Sequence, residues 1–156
     1  MLKLKRGFTL IELLVVIGIL AILLAITLIA INPAHQFGQA NNTRRRSDVL
    51  QILNAVHQYT AEHGGSLPDE LTKNLAATYF NDTTSLKSLC AKLMPVYLPA
   101  LPVEPSLKAA TNITDCKEAG DKLWGTTGYQ ISTDDMQRVT VISPVADNGE
   151  TIEVTR

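Results

Sequence analysis

The chain has few of the residues that build catalytic or ligand-binding centres. Among its 156 residues only 5% are aromatic, two are cysteines and three are histidines, and the formal net charge is −1. The histidines and cysteines lack metal-ligand spacing, and neither a glycine-rich phosphate loop nor a nucleophile elbow occurs. These absences argue against an enzyme, and we predict no catalytic residues, no metal site and no cofactor.

Charge is distributed unevenly along the chain. The leader, residues 1–7, carries Lys3, Lys5 and Arg6 and no acid, whereas the remainder has 11 basic and 15 acidic residues, a net charge of −4. An acidic exterior fits an exported surface, so we expect no nucleic-acid partner. The run Arg44 to Arg46 has no aromatic platform beside it. We interpret it as a solvated helix face, or as partners for acids of a neighbouring subunit or for lipid headgroups.

One long apolar run follows the leader. Residues 8–31 include only three polar side chains, Thr9, Glu12 and Thr27. As a helix, this run would be about 36 Å long, enough to span a hydrocarbon core of roughly 30 Å. Because the bases precede the run, the positive-inside rule places the leader in the cytoplasm and the rest of the chain outside. A secretory signal fits less well, since residues 31–35 are a poor match to a small-residue cleavage site.

The start of the chain, with the sequence KRGFTLIELLVV over residues 5–16, resembles the N-terminal signature of type IV prepilins and their pseudopilin relatives. The resemblance implies that a membrane-embedded prepilin peptidase cuts between Gly7 and Phe8. It also implies that the new N-terminal Phe8 is methylated. Glu12 would then be the family's glutamate at the fifth position of the mature chain.

Glu12 is the residue that a plain membrane anchor does not explain. A carboxylate in a membrane helix costs about 2.5 to 3.5 kcal/mol at the centre and less near an end. Cutting after Gly7 creates a cationic amine at Phe8, which can pair with Glu12 of a neighbouring subunit. We therefore expect Gly7 and Phe8 to be processing residues and Glu12 to be an assembly residue.

The resemblance implies a structural subunit of a type IV pilus or pilus-like filament, polymerised through its N-terminal helix. The expected partners are further copies of the chain, prepilin peptidase, the membrane and an assembly platform. The subunit would be a single-pass protein of the cytoplasmic (inner) membrane before assembly and part of a cell-surface filament afterwards. The alternatives are a pseudopilin of a type II secretion or competence (DNA-uptake) system and a monomeric, membrane-anchored binding module.

Downstream of the apolar run, the patterns predict an α+β fold. Pro33 interrupts the helix. An amphipathic stripe from Val49 to Thr60 indicates that the helix resumes after the proline, and Gly64 and Gly65 end it. Strand candidates lie at 128–133, 138–143 and 151–155. We expect a long N-terminal helix, hydrophobic in its first half, packed against a small C-terminal three-stranded antiparallel sheet in a pilin-like arrangement.

Five segments are expected along the chain. They are the cleaved leader at 1–7, a transmembrane and filament-core helix at 8–31, the amphipathic half of that helix at 32–65, an irregular region at 66–127 and the sheet at 128–156. Within the irregular region, 69–79 and 85–94 have helical composition. The proline-punctuated segment 97–105 is similar to one in type II secretion major pseudopilins, although an insert at 106–123 before Trp124 departs from that pattern.

The two cysteines, Cys90 and Cys116, are expected to form a disulfide in an exported chain, with two buried thiols in a cytoplasmic protein as the alternative. A bridge closing this loop stabilises a protein by roughly 3 to 4 kcal/mol. We interpret the acids at 134, 135, 147 and 150 as turn residues rather than calcium ligands. The Asn-x-Thr sequons at 41, 81 and 112 are interpreted as chance matches.

Overall fold

The structure, a computed structural model, describes residues 7–80, 84–107, 113, 114, 116 and 127–156. Several residues singled out in the sequence lie outside this part of the chain: Lys3, Lys5, Arg6, Asn81, Asn112 and Trp124. The chain divides into two compact units, Met1–Phe37 and Gly38–Arg156.

The first unit is built around an apolar helix, α1, which spans Leu10–Ile31. By length and composition, α1 is able to cross a membrane, and none of its residues is buried. The helix ends at Asn32, which adopts the left-handed conformation with φ 46°. Pro33 follows and has no N–H to continue the hydrogen-bond ladder, so the expected interruption falls here. Helix α2, Pro33–Glu62, then begins with its proline in the first helical position, where an N–H is not needed.

In the second unit, the part of α2 from Gly38 onward packs on an antiparallel sheet. The apolar stripe of this helix is fully buried at Val49, Ile52, Leu53 and Val56. These residues form one core cluster with strand residues that include Ile131, Val139 and Val141. The opposite face of α2 is polar and exposed, which is the pattern of an amphipathic helix on a sheet.

The sheet has four strands in the order β1-β2-β3-β4, all antiparallel. They span Thr78–Tyr79, Gln130–Thr133, Val139–Ser143 and Ile152–Thr155, and α3, Thr84–Leu93, lies between β1 and β2 in the sequence. Burial alternates along β3, as the two-residue repeat of a strand requires. The register places Ile131 opposite Val141, so the apolar side chains of neighbouring strands share one face.

The predicted α+β class, with a long apolar N-terminal helix and a helix packed on an antiparallel sheet, is confirmed. Two details are corrected. The sheet has four strands rather than three, because Thr78–Tyr79 pairs with β2 and places Tyr79 opposite Gln130. Residues 69–79 form turns and β1 instead of a helix, since pairing with β2 outweighs helical propensity there.

Candidate functional site

The residues around the expected cleavage point precede α1. Gly7 and Phe8 lie outside any helix or strand, and the Phe8 side chain is 89% exposed. A Cβ added at Gly7 would have nothing within 4 Å. The Gly7–Phe8 peptide bond is therefore sterically open, as the substrate bond of a protease must be.

Helix α1 begins with a reciprocal capping box formed by Thr9 and Glu12. The Thr9 hydroxyl accepts a hydrogen bond from the backbone N–H of Glu12, with an Oγ1–N distance of 3.3 Å. In return, Glu12 Oε2 accepts hydrogen bonds from the backbone N–H and the hydroxyl of Thr9, each at 2.8 Å. The box satisfies two N–H groups that the start of a helix otherwise leaves unpaired.

The cap uses only one oxygen of the Glu12 carboxylate. Both Thr9 donors reach Oε2, and within the described part of the chain no hydrogen bond reaches Oε1. The carboxylate also lies in the first turn of α1, where the positive end of the helix dipole favours an anion. Glu12 can therefore cap the start of its own helix through Oε2 and still present Oε1 to a cation. Thr9 is not among the residues predicted from the sequence, although Thr-x-x-Glu before an apolar run is the signature of a capping box.

The surface of α1 is apolar on all sides. Every large apolar side chain from Phe8 to Ile31 is more than half exposed. Exposing even ten Leu or Ile side chains to water would cost on the order of 15 to 30 kcal/mol. A surface of this kind requires lipid or another apolar partner.

A family model described as the prokaryotic N-terminal methylation motif matches residues 2–28. The match spans the open Gly7–Phe8 bond, the Thr9–Glu12 cap and most of α1. The chain carries the prepilin-type signature of type IV pilins and pseudopilins. The resemblance inferred from the sequence is thereby confirmed. Neither the curated proteins nor the solved structures give a match to this chain.

The second unit contains a buried charge cluster centred on Arg45. The Arg45 side chain is 0% exposed. Its Nε donates to Glu104 Oε1 at 2.7 Å, and its Nη1 donates to Asp147 Oδ2 and Asn42 Oδ1, both at 2.8 Å. Burial by itself lowers the pKa of Arg45, but the hydrogen bonds and charges of Asp147 and Glu104 outweigh it, so the net pKa is raised. Arg45 thus stays charged inside the unit.

The carboxylates around Arg45 have different environments. Glu104 is 1% exposed, and its Oε2 accepts hydrogen bonds from the backbone N–H and the hydroxyl of Ser106. The hydrogen bond from Arg45 lowers the pKa of Asp147, which remains partly exposed. Burial raises the pKa of Asp48, which accepts a hydrogen bond from the Tyr129 hydroxyl at 2.7 Å.

The interpretation of the Arg44 to Arg46 run is wrong for Arg45, which is neither solvated nor available to a neighbour. Arg46 also pairs with an acid of its own chain, Glu150. No local sequence pattern predicts the partners of Arg45, because Glu104 and Asp147 lie 59 and 102 residues away in the sequence. Across the residues that the structure describes, no group of three or more His, Cys, Asp and Glu could hold a metal ion.

Cys90 in α3 is joined to Cys116 by a disulfide in the structure, with their Cα atoms 5.9 Å apart. The Met94 thioether lies beside the bridge, with its Sδ 3.7 Å from Cys90 Sγ and 3.8 Å from Cys116 Sγ. Cys90 and Met94 are both buried. The bridge therefore links the buried side of α3 to the partly buried Cys116. It joins the two cysteines that the sequence analysis expects to pair.

Proposed function

We propose that the chain is a structural subunit of a type IV pilus or a pilus-like filament. The subunit is held in the cytoplasmic membrane by α1, cut between Gly7 and Phe8 by prepilin peptidase, and methylated at Phe8. The trimmed subunits then polymerise through α1 into a helical homopolymer at the cell surface. The observation that carries the proposal is the methylation motif over residues 2–28, which includes the cleavage point and most of α1.

The exposure of α1 supports this assembly route. None of the residues of α1 is buried in the isolated chain, so the helix needs an apolar environment wherever it goes. Further copies of α1 supply the same kind of surface as lipid. A subunit that moves directly from the bilayer into a bundle of α1 helices never exposes this surface to water, and the cost of hydration is avoided.

The Thr9–Glu12 cap supports a charge pair between subunits. An ammonium group at Phe8 and a carboxylate at Glu12 are each unfavourable in apolar surroundings, and pairing them offsets much of that cost. Because the cap occupies Oε2, Oε1 is the oxygen available to the amine of the next subunit. In this proposal Glu12 fixes the register between subunits, while the apolar contacts of α1 supply cohesion.

Two substitutions at Glu12 separate its charge from its capping role. Glu12→Gln keeps an acceptor for the N-cap residue but removes the charge, whereas Glu12→Ala removes both. We expect both variants to be cut after Gly7 as in the wild type. We also expect both to yield at least about tenfold less filament, the equivalent of 1.4 kcal/mol per subunit contact. Mass spectrometry and immunoblotting of sheared surface material measure the N-terminus and the amount of filament.

The outcomes of this experiment are distinguishable. N-methylated Phe8 in sheared material supports the proposed processing, and an intact leader on assembled protein refutes it. Wild-type amounts of filament from Glu12→Gln refute the charge pair. Full function of Glu12→Ala without any assembly would instead indicate a monomeric, membrane-anchored module. Assembly that depends on Glu12 but gives no long surface filament in electron micrographs would assign the chain to a pseudopilin, which shares the same signature.

A further inference from the structure

The hairpin between β2 and β3 holds an exposed methionine at its tip. The Met136 side chain is 72% exposed. The Asp134 carboxylate fixes the turn by accepting hydrogen bonds from the backbone N–H of Met136 at 3.0 Å and of Arg138 at 2.8 Å. It also accepts one from Arg138 Nε at 2.6 Å. These bonds involve the backbone of Met136 and not its side chain, so the turn does not depend on the thioether.

The other methionine downstream of the leader, Met94, has the opposite environment. It is 6% exposed and belongs to the hydrophobic core. Its thioether lies against both sulfur atoms of the Cys90–Cys116 bridge, at 3.7 and 3.8 Å. An oxidant in solution therefore reaches Met136 directly, whereas it reaches Met94 only when the core opens.

We propose that Met136 is a site of oxidation by peroxides, which convert its thioether to the sulfoxide. The thioether sulfur attacks one peroxide oxygen, the O–O bond breaks and an S–O bond forms. The sulfur loses two electrons, and the other oxygen leaves as water, or as an alcohol from an organic peroxide, after taking up a proton. The sulfoxide is tolerated at the hairpin tip because the bonds of the Asp134 carboxylate are untouched. The same reaction at Met94 would place a polar group in the core.

This inference concerns the single subunit and does not rest on polymerisation. The test treats the full-length chain in detergent with hydrogen peroxide and follows each methionine by peptide mass spectrometry. We expect Met136 to gain one oxygen on the order of ten times faster than Met94, following its greater exposure. Near-UV circular dichroism should be unchanged when Met136 is fully oxidised.

Two controls make the test specific. In the urea-unfolded chain the rates at Met136 and Met94 should converge, which shows that the fold sets the difference. Met136→Leu keeps an apolar side chain and should abolish the fast oxygen uptake. If this variant fails to fold, the comparison of folded and unfolded wild type still tests whether the fold makes Met136 react faster than Met94. Equal rates in the folded chain, faster reaction at Met94, or loss of the dichroism signal as Met136 oxidises would overturn the proposal.

Discussion

Replacing Arg45 by methionine should strongly destabilise the second unit, because it leaves a buried carboxylate without its cation. Arg45 is 0% exposed and Glu104 is 1% exposed. Without the guanidinium, the Glu104 carboxylate keeps, within the part of the chain that the structure describes, only the two hydrogen bonds from Ser106. Removing one partner of a buried ion pair costs about 3 to 5 kcal/mol. Methionine retains much of the apolar stem of arginine, so the loss of packing is a smaller part of the effect.

Arg46→Met is the matched control in the same helix. Arg46 also pairs with a carboxylate, Glu150, but the two side chains are 54% and 35% exposed. Ion pairs at the surface contribute about 0 to 1 kcal/mol. Identical substitutions at adjacent positions should therefore differ by at least about 2 kcal/mol. The double variant Arg45→Met/Glu104→Gln removes both buried charges and should recover much of the stability that Arg45→Met loses.

Thermal unfolding of the detergent-solubilised chain, followed by near-UV circular dichroism, measures these differences. The midpoint of Arg45→Met should fall by roughly 10 to 20 °C, and that of Arg46→Met by at most about 4 °C. Equal midpoints for these two variants would refute the claim that burial makes the Arg45 ion pair contribute more to stability than the exposed Arg46 pair. A double variant less stable than Arg45→Met would show that the unpaired carboxylate of Glu104 is not the cause.

Three further predictions use the same unfolding assay. Arg45 lowers the pKa of Asp147, so the Asp147 carboxylate stabilises the folded chain above its unfolded pKa of about 3.9. Wild type should therefore be more stable than Asp147→Asn at neutral pH, and the two should converge as the pH falls through the folded-state pKa. At Gly128, φ is 77° and an added Cβ would lie 2.6 Å from another side chain. Gly128→Ala should cost about 2 to 4 kcal/mol, against about 1 to 2 for Gly64→Ala, which has φ 66° in open space. Exported protein should show no maleimide-reactive thiol until it is reduced, and reduction should lower its stability by roughly 3 to 4 kcal/mol.

Much of the fold was predictable because its signals are local. The apolar run of residues 8–31 and the stripe on α2 follow the helical repeat, and turn residues separate the three C-terminal strands. Strand β1 has no such signal. It is two residues long, too short to alternate, and it exists only because β2 offers an edge to pair with. Its prediction requires knowledge of the tertiary structure, which single-sequence patterns do not contain.

The residues of the candidate site were likewise predictable only where their sequence signal is local. Gly7, Phe8 and Glu12 are recognised from a contiguous motif, and the missed residue Thr9 also has a local signature. The Arg45 cluster has none, because its carboxylates come from a proline-rich segment and from the turn before β4. A run of three arginines on a helix looks uniform in the sequence, and only the packing of the unit distinguishes the buried member from its exposed neighbours.

The capping box has a consequence for what proteolysis changes at this end of the chain. Thr9 and Glu12 both lie on the retained side of a cut between Gly7 and Phe8, so trimming removes neither partner of the box. The precursor and the product then share the same first turn, and their difference is electrostatic. An ammonium group created by the proposed cut would lie at the positive end of the helix dipole, where a cation is unfavourable. Under the proposed processing, the trimmed chain would therefore gain an electrostatic driving force to pair its ammonium group with a carboxylate of another subunit. The uncut chain would not have this driving force.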